Sequence, residues 1–337
     1  MRIDLISDTI TRPSPEMRAF MMEAEVGDDV FGADPTINRL ESMAAGMFGR
    51  EAALYCPSGT MTNQIAIKLH THALDEIICE LNSHVYQYET SGYAYNARVG
   101  INLIEGEYGK ITAEQLKNSI KKKYDWLPES RLVVLENSTN RGGGNYYTLD
   151  EIKAIRTVCL ENELKLHLDG ARLFNVLVET GESTKDVGSL FDSISICLSK
   201  GLGAPVGSLL IGDKAFIQKG RRFRKVMGGG MRQAGIIAAG GIYALEHNVN
   251  RLKQDNDRAK AIGHILQGLD YVAQVKPIKT NIVIFDLKDE PADLFVKRLA
   301  ECNINAAAFG PMQVRFVTHL EFDDEQLAEL EKRLKTL

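Results

Sequence analysis

Short apolar runs alternate with longer segments of helical periodicity through the first two thirds of the chain. The runs lack strict apolar–polar alternation, which is typical of strands covered on both faces. Helical segments between such strands serve as crossovers in a parallel sheet. The pattern therefore predicts an α/β fold with a mainly parallel sheet, whose strands fall at residues 53–56, 76–79, 132–135, 164–168, 194–197 and 208–211.

The pattern changes near residue 248. A long, charged amphipathic helix is predicted first, and two further helices alternate with two apolar strands after it. The helices are predicted at residues 249–269, 292–302 and from 324 onward, and the strands at 281–285 and 314–317. We expect a smaller α+β domain there, and the predicted boundaries are an N-terminal segment beside the functional site at 1–12, a large domain at 13–247 and the small domain at 248–337.

Composition excludes several classes of protein. The 337 residues are 44% hydrophobic and 25% charged, which is typical of globular proteins and excludes disorder, collagen and coiled coil. The net charge of -5 leaves no positive field to attract nucleic acid or anionic lipid. The longest apolar stretch, residues 236–245, is too short to span a bilayer. We expect neither nucleic acid nor membrane as a partner.

The first residues and the cysteines favour a cytoplasmic protein. Residues 1–4 lead directly into polar positions, without the apolar core of a signal peptide. The five cysteines show no Cys-x-x-Cys spacing of the kind found in zinc sites or redox pairs. We expect reduced cysteines and no metal site.

Three motifs could carry chemistry. Residues 57–61 (Pro-Ser-Gly-Thr-Met) follow a strand and open a helix, where free N–H groups and hydroxyls can bind a phosphate. The alternative is a plain N-cap. Asp169 ends a strand and Arg172 follows it, so both can point into the crevice at the carboxyl edge of the sheet. The alternative is a surface ion pair.

The third motif is a lysine between an apolar strand and a glycine-rich turn. Lys200 precedes Gly201 and Gly203, and a lysine at such a strand end can be nucleophilic. A single lysine is more often a solvated surface group. Together, however, a phosphate-binding turn, a strand-end Asp169 and then Lys200 are the contacts that pyridoxal 5'-phosphate requires. The order of the motifs predicts an enzyme that uses this cofactor.

Several segments resemble the low-specificity L-threonine aldolases, and the resemblance covers nearly the whole chain. The segments are residues 7–9, 27–32, 34–36, 57–63, 167–172, 197–208 and 228–233. This resemblance implies the fold-type I architecture of pyridoxal-phosphate enzymes, which is related to aspartate aminotransferase. It also implies active sites shared across a dimer, often within a dimer of dimers, so we expect a homo-oligomer and specifically a homotetramer.

The resemblance also implies roles for single residues. Lys200 is similar to the lysine that carries the cofactor, and Asp169 to the partner of its pyridine nitrogen. His84 is similar to the histidine that stacks on the cofactor ring and assists proton transfer. The predicted phosphate-binding residues are Ser58, Gly59 and Thr60.

Other matched positions face the substrate or the neighbouring subunit in that family. Ser7, Arg172 and Arg315 resemble the groups that hold the substrate carboxylate, for which a planar guanidinium is suited. Arg172 is also expected beside the cofactor. Lys225 and Arg232 are expected near the cofactor phosphate, contributed by the neighbouring subunit.

Two positions depart from the family pattern. Phe31 stands where many members have tyrosine, and Thr139 stands where a histidine is usual. Both positions face the substrate side chain in the family. We therefore expect Phe31 and Thr139 to contact substrate and to weaken discrimination between the two configurations at the β-carbon.

The expected reaction is retro-aldol cleavage of L-threonine or L-allo-threonine to glycine and an aldehyde. Other reactions of the same cofactor are open alternatives, since the protein selects the bond that breaks. They are β-elimination, racemisation, transamination and cleavage of a bulkier substrate such as phenylserine. A non-catalytic α/β protein is a further alternative, which the presence of Lys200 and Asp169 argues against.

Overall fold

Thirteen strands and thirteen helices make up the protein in the computed structural model, which describes all 337 residues. The strands are β1 (Ile3–Asp4), β2 (Ala52–Cys56), β3 (Asp75–Glu80), β4 (Gly100–Ile104), β5 (Glu129–Glu136), β6 (Lys165–Gly170), β7 (Ser193–Cys197), β8 (Ser208–Gly212), β9 (Val272–Val275), β10 (Ile282–Leu287), β11 (Ile304–Asn305), β12 (Ala307–Ala308) and β13 (Gln313–Val317). The helices are α1 (Pro15–Met22), α2 (Pro35–Met47), α3 (Gly59–His70), α4 (His84–Gln87), α5 (Ala113–Ser119), α6 (Leu149–Glu161), α7 (Leu173–Thr180), α8 (Thr184–Leu190), α9 (Lys214–Val226), α10 (Gly235–His247), α11 (Leu252–Gln267), α12 (Ala292–Glu301) and α13 (Asp324–Leu334).

Seven strands form the main sheet in the order β2-β8-β7-β6-β5-β3-β4. Only β8 runs against its neighbours, β2 and β7, and the other adjacent pairs are parallel. The predicted mainly parallel α/β sheet is confirmed, with all six of its predicted strands present. Because six strands run in one direction, the segments that follow β2, β3, β5, β6 and β7 meet at the same edge of the sheet.

Burial of the sheet on both faces explains its continuous apolar runs. The largest hydrophobic core contains 40 buried residues and packs one face of the sheet against helices. Two smaller cores, of 8 and 6 buried residues, cover the opposite face. Helix α10, rich in alanine and glycine, lies within the largest core. Local signals start the surrounding helices; for example, Thr148 and Glu151 form a reciprocal capping box at the start of α6.

A second sheet and core lie in the C-terminal part of the chain. Strands β12-β13-β10-β9 form an antiparallel sheet that packs with α11, α12 and α13. The N-terminal strand β1 pairs with β11, and Ile3 and Leu5 are buried in this second core. The residues that follow β1 then run from the small sheet to the carboxyl edge of the main sheet.

No helix combines the length and the apolar character that crossing a membrane would need.

Candidate active site

The turn after β2 forms the N-terminus of α3. Ser58 caps this helix, since its Oγ accepts a hydrogen bond from the N–H of Met61 at 3.2 Å. The N–H groups of Gly59 and Thr60, at the first helical positions, have no acceptor within the helix. They lie at the positive end of the helix dipole, which favours an anion. The structure thus places Ser58, Gly59 and Thr60 together as a set of free donors.

A buried hydroxyl without a partner faces this turn. Ser208 Oγ, in β8, is buried and makes no hydrogen bond. It lies 3.5 Å from the position that a Cβ would take at Gly59. A buried hydroxyl normally has a partner, and a phosphate oxygen at the turn would supply one. The donor set therefore fits a phosphate, and a cavity of about 1180 Å³ opens from Ser58 and Thr60 toward Glu89.

Asp169 is buried near the carboxyl end of β6. Its Oδ2 accepts a hydrogen bond from Asn63 Nδ2 at 2.9 Å, and its Oδ1 accepts one from the N–H of Ala171 at 3.3 Å. Neither partner carries a charge, so the carboxylate can stabilise a cation such as a protonated pyridine nitrogen. His167 Nε2 lies 3.1 Å from Asn63 Oδ1 and fixes the orientation of that amide.

His84 begins helix α4, just after β3, and lies beside Asp169. Its Nδ1 is 3.0 Å from Oε1 of the buried Glu89, which also accepts a hydrogen bond from Asn63 Nδ2 at 2.8 Å. Burial disfavours the charged ring, but the hydrogen bond to Glu89 and the charge of Asp169 raise the pKa of His84 above its usual value. One ring nitrogen of His84 and one carboxylate oxygen each of Glu89 and Asp169 lie within 4.8 Å of one another. The Asn63 amide donates to both carboxylates and holds them together.

Lys200 lies in the turn after β7, at the same edge of the sheet. Its carbonyl accepts hydrogen bonds from the N–H of Gly203 at 2.8 Å and from Thr11 Oγ1 at 2.9 Å. Gly203 has φ of +78°, a conformation that glycine adopts without strain. The glycine-rich turn after Lys200 thus has a structural reason, and Thr11 ties the N-terminal segment to it.

Arg172 pairs with a carboxylate from the N-terminal segment. Its Nε and Nη2 donate to the two oxygens of Asp8, each at 2.7 Å, and both side chains are buried. Burial works against both charges, yet their mutual attraction raises the pKa of Arg172 and holds the pKa of Asp8 well below its usual range. Asn281 Nδ2 donates to Asp8 as well, at 3.1 Å. The alternative of a surface ion pair between Asp169 and Arg172 is wrong, because Arg172 binds Asp8 and both Asp169 and Arg172 are buried.

Arg315, in β13, reaches the same region from the small sheet. Its Nη1 donates to Asn140 Oδ1 at 2.9 Å and its Nη2 to the carbonyl of Ile6 at 3.0 Å, while its buried Nε has no partner. Burial and the neighbouring Arg172 lower the pKa of Arg315 to about 10. Ser7 follows Ile6, and its Oγ accepts from the N–H of Thr9 at 3.2 Å. An anion would satisfy the unpartnered guanidinium nitrogen.

The side chain of Thr139 is used inside its own loop. It is buried, and its Oγ1 lies 3.1 Å from the carbonyl oxygen of Tyr108 and 3.2 Å from that of Asn145. A Cβ at Gly109 or Gly142 would come within 2.7 Å or 2.3 Å of Thr139 atoms, so the loop is tightly packed there. The contact of Thr139 with substrate stays a prediction, and its hydroxyl is engaged elsewhere.

Phe31, Lys225 and Arg232 lie around the segment at residues 28–32, separate from the cluster at Asp169. Phe31 is 81% exposed. Arg232 Nη1 donates to Asp28 Oδ2 at 2.8 Å, and Lys225 lines a cavity of about 390 Å³ with three arginines. Within one chain no hydrogen bond or ion pair joins these three predicted residues to Asp169 or Lys200. The glycine-rich segment between Lys225 and Arg232 nevertheless packs against Met61, next to the turn at residues 58–60.

Several residues of the cluster were not assigned a role from the sequence. Asn63, Asp8 and Ser208 fall within segments that carry the family resemblance, and this is the one signal that could have identified them. Glu89 and Glu136 join the site through contacts distant along the chain, which single-sequence patterns do not reveal.

Comparisons with known proteins agree with this architecture. Residues 4–290 match the beta-eliminating lyase family. The chain is 40% identical to the low specificity L-threonine aldolase of Escherichia coli (strain K12) over 97% of both chains. It is 37% identical to the low-specificity L-threonine aldolase 1 of Arabidopsis thaliana, over 94% of this chain and 91% of the relative.

Solved structures share the fold at lower identity. A threonine aldolase of Leishmania major has a TM-score of 0.84 at 20% identity and covers 99% of both chains. A serine palmitoyltransferase of Sphingomonas wittichii has a TM-score of 0.80 at 16% identity, over 99% of this chain and 86% of the other. The architecture is that of fold-type I pyridoxal-phosphate enzymes, as expected. The chain belongs to the beta-eliminating lyase family, in the group of low-specificity L-threonine aldolases.

Proposed function

We propose that this protein is a pyridoxal-phosphate-dependent aldehyde-lyase. Its substrates are L-threonine, L-allo-threonine and related β-hydroxy-α-amino acids, and its products are glycine and an aldehyde. The observation that carries the proposal is the convergence of the turn at residues 58–60, Asp169 and Lys200 at one edge of the main sheet. The full-length similarity to low-specificity L-threonine aldolases supports this choice of reaction.

Residues at the strand ends match the phosphate, the pyridine nitrogen and the aldehyde of the cofactor. Pyridoxal phosphate, when bound, supplies an aldehyde that reacts with amines and a pyridine ring that withdraws electrons. Ser58, Gly59, Thr60 and the unpartnered Ser208 hydroxyl would bind the phosphate. Asp169, held by neutral donors, would keep the pyridine nitrogen protonated. Lys200 would contribute the amine.

Two arginines and a serine orient the substrate. Arg315 holds the carboxylate through its unpartnered Nε, and Ser7 adds a hydroxyl nearby. The pair of Arg172 with Asp8 leaves Arg172 Nη1 for the carboxylate or the cofactor. By holding the carboxylate at defined nitrogens, this arrangement would set the orientation of the substrate's Cα–Cβ bond in the site.

His84 handles the proton of the β-hydroxyl. Glu89 holds its Nδ1, which leaves Nε2 for the substrate side. The raised pKa makes the imidazole a stronger base, suited to accept the hydroxyl proton as the Cα–Cβ bond breaks. We expect weak discrimination between the epimers, because the Thr139 hydroxyl is engaged in its loop and Phe31 offers no hydroxyl.

We also propose a homo-oligomer, a dimer or dimer of dimers, that acts in the cytoplasm. Phe31, Lys225 and Arg232 lie on the surface of one chain, where they are available to complete a neighbour's site. The large cavity beside Ser58 is open to receive them. All five cysteines are free, which suits a reducing compartment.

Product analysis tests the proposed reaction. The purified holoenzyme is incubated with L-threonine, L-allo-threonine and L-phenylserine, and aldehyde and glycine are measured. Each of the two threonine epimers is expected to give one molecule of aldehyde for each molecule of glycine. Release of 2-oxobutyrate and ammonia from threonine would instead indicate β-elimination, and conversion of L-threonine to D-allo-threonine without cleavage would indicate inversion at Cα, the reaction of a racemase. Either result would overturn the proposal.

A further inference from the structure

Glu136 is a buried carboxylate at the end of β5 that no step above uses. It lies directly opposite Asp169 in the parallel ladder and is only 6% exposed. Its partners are two backbone amides: Oε2 accepts from the N–H of His84 at 2.7 Å, and Oε1 accepts from the N–H of Asn140 at 2.7 Å. Both oxygens are therefore occupied by donors.

The two amides belong to segments that carry different parts of the site. His84 begins α4, and its ring is held by Glu89. Asn140 lies in the loop after β5, and its Oδ1 accepts from Arg315 Nη1 at 2.9 Å. One oxygen of Glu136 thus holds the backbone of His84, and the other holds the backbone of Asn140, whose side chain binds Arg315.

This double contact requires the ionised carboxyl. A proton on one oxygen would face an N–H donor, and one of the two hydrogen bonds would be lost. Burial and the charge of Asp169 raise the pKa of Glu136 to about 7, while the amides of Asn140 and His84 and the charge of His84 oppose this shift. The other titratable groups that act on it or respond to it are Arg172, Cys79 and Tyr147.

We propose that Glu136, as a carboxylate, is a positioning residue that fixes His84 and the Asn140–Arg315 pair at the same time. The proposal rests on the proposed function, in which His84 moves a proton and Arg315 holds the substrate carboxylate. Glu136 itself touches neither substrate nor cofactor. Its loss affects both the affinity for an amino acid and the rate of cleavage.

Glycine binding separates this role from catalysis, because glycine has the carboxylate but no β-hydroxyl. The glycine Kd of the holoenzyme is measured from the absorbance of the bound cofactor, from about pH 6 to about pH 8.5. At the alkaline end, Glu136→Gln is expected to raise the Kd about tenfold. Toward pH 6 the ratio of variant to wild-type Kd should approach one, since wild-type Glu136 is then protonated.

Two further variants keep the proposal falsifiable. Glu76→Gln removes another buried carboxylate of the same sheet, bonded to Ser130 and Asn102 away from the site, and should lower the melting temperature without changing the glycine Kd. Asn140→Ala cuts only the link to Arg315. It should raise the Kd while kcat stays within about twofold, whereas Glu136→Gln lowers kcat as well.

An unchanged glycine Kd in Glu136→Gln, or a Kd ratio independent of pH, would overturn the proposal. If Glu136→Gln fails to fold, an unchanged Kd in Asn140→Ala would overturn it equally. The proposed reaction fails on a different result, namely the absence of aldehyde from threonine with the wild-type enzyme. The glycine titration does not depend on cleavage, so the two failures can be told apart.

Discussion

At the scale of single residues, the candidate site consists of charged groups held by neutral partners. Asp169 receives hydrogen bonds from an amide side chain and a backbone N–H, and Glu136 from two backbone N–H groups. Arg172 and Asp8 are the exception, since they neutralise each other. This arrangement leaves Asp169 free to balance a positive charge that a ligand brings into the site.

Asp169→Asn tests that role. The variant should fold and bind the cofactor, because the single amide oxygen still accepts one of the two hydrogen bonds that Asp169 receives from Asn63 and Ala171. Aldehyde release from L-threonine should fall by about a hundredfold or more, since the ring nitrogen loses the charge that keeps it protonated. As a control, Asp192→Asn removes a carboxylate that pairs with Arg156 and Lys165, and activity should be retained. Near-normal turnover in Asp169→Asn would contradict the role assigned to this carboxylate.

Residue identities in the site were partly predictable from the sequence. Asp169 and Lys200 stand directly at predicted strand ends, and the structure places them there. Glu89 could not be found in this way, because its contacts with Asn63 and His84 depend on the packing of α4 against α3. Side-chain hydrogen bonds of this kind leave no periodic pattern in a sequence.

At the scale of elements, strands buried on both faces were predictable, whereas a half-buried edge strand and two-residue strands were not. The six predicted strands of the main sheet are buried on both faces, which gives them continuous apolar runs. Strand β4 was missed, since it lies at the sheet edge, begins with Gly100 and contains Asn102. Strands β1 and β11 have two residues each and depend on one another for pairing.

The loop after β5 gives a prediction about Thr139. Thr139→Val keeps the shape of the side chain but leaves the Tyr108 and Asn145 carbonyls without its hydroxyl. The free energy of unfolding should fall by about 1–3 kcal/mol. The ratio of kcat/KM for L-threonine and L-allo-threonine should stay the same, because the hydroxyl is directed into the loop.

A matched control is Thr157→Val, which removes an exposed hydroxyl bonded within α6 and should leave stability nearly unchanged. Chemical denaturation and steady-state kinetics measure both quantities. A changed epimer ratio together with unchanged stability in Thr139→Val would show that this hydroxyl contacts substrate after all.

At the scale of the whole molecule, the N-terminal segment joins the two sheets. Strand β1 pairs with β11 in a two-stranded sheet of the C-terminal part, and Asp8 then pairs with Arg172 at the edge of the main sheet. The partners of these contacts are far apart in the chain, so local patterns could not predict them. Family resemblance indicated that Ser7 belongs to the site, but the pairing of Asp8 came only from the structure.

The half-buried histidine His70 makes stability depend on pH. Burial and the nearby His167 lower the pKa of His70 to about 3 from its usual 6.5. Below about pH 6.5 the unfolded chain takes up a proton that folded His70 does not, so stability is lost as pH falls. The stability advantage of the wild type over His70→Gln should therefore shrink by about 1.4 kcal/mol per pH unit between about pH 6 and 4.

Urea denaturation at several pH values measures this difference. His72→Gln, at an 88% exposed side chain, serves as the control for the loss of a histidine. If the difference in free energy of unfolding between the wild type and His70→Gln were constant across this range, folded His70 would take up a proton as readily as the unfolded chain does, and the prediction would be wrong.

The central claim is that the strand ends form a cofactor site around Lys200. Borohydride reduction of the holoenzyme, followed by peptide mapping, tests it most directly, since reduction fixes the cofactor to the amine that holds it. We predict a label on Lys200 alone, next to the turn that Gly203 and Thr11 hold in place. A label on Lys225 or Lys214, or an enzyme that cannot be labelled, would contradict the account.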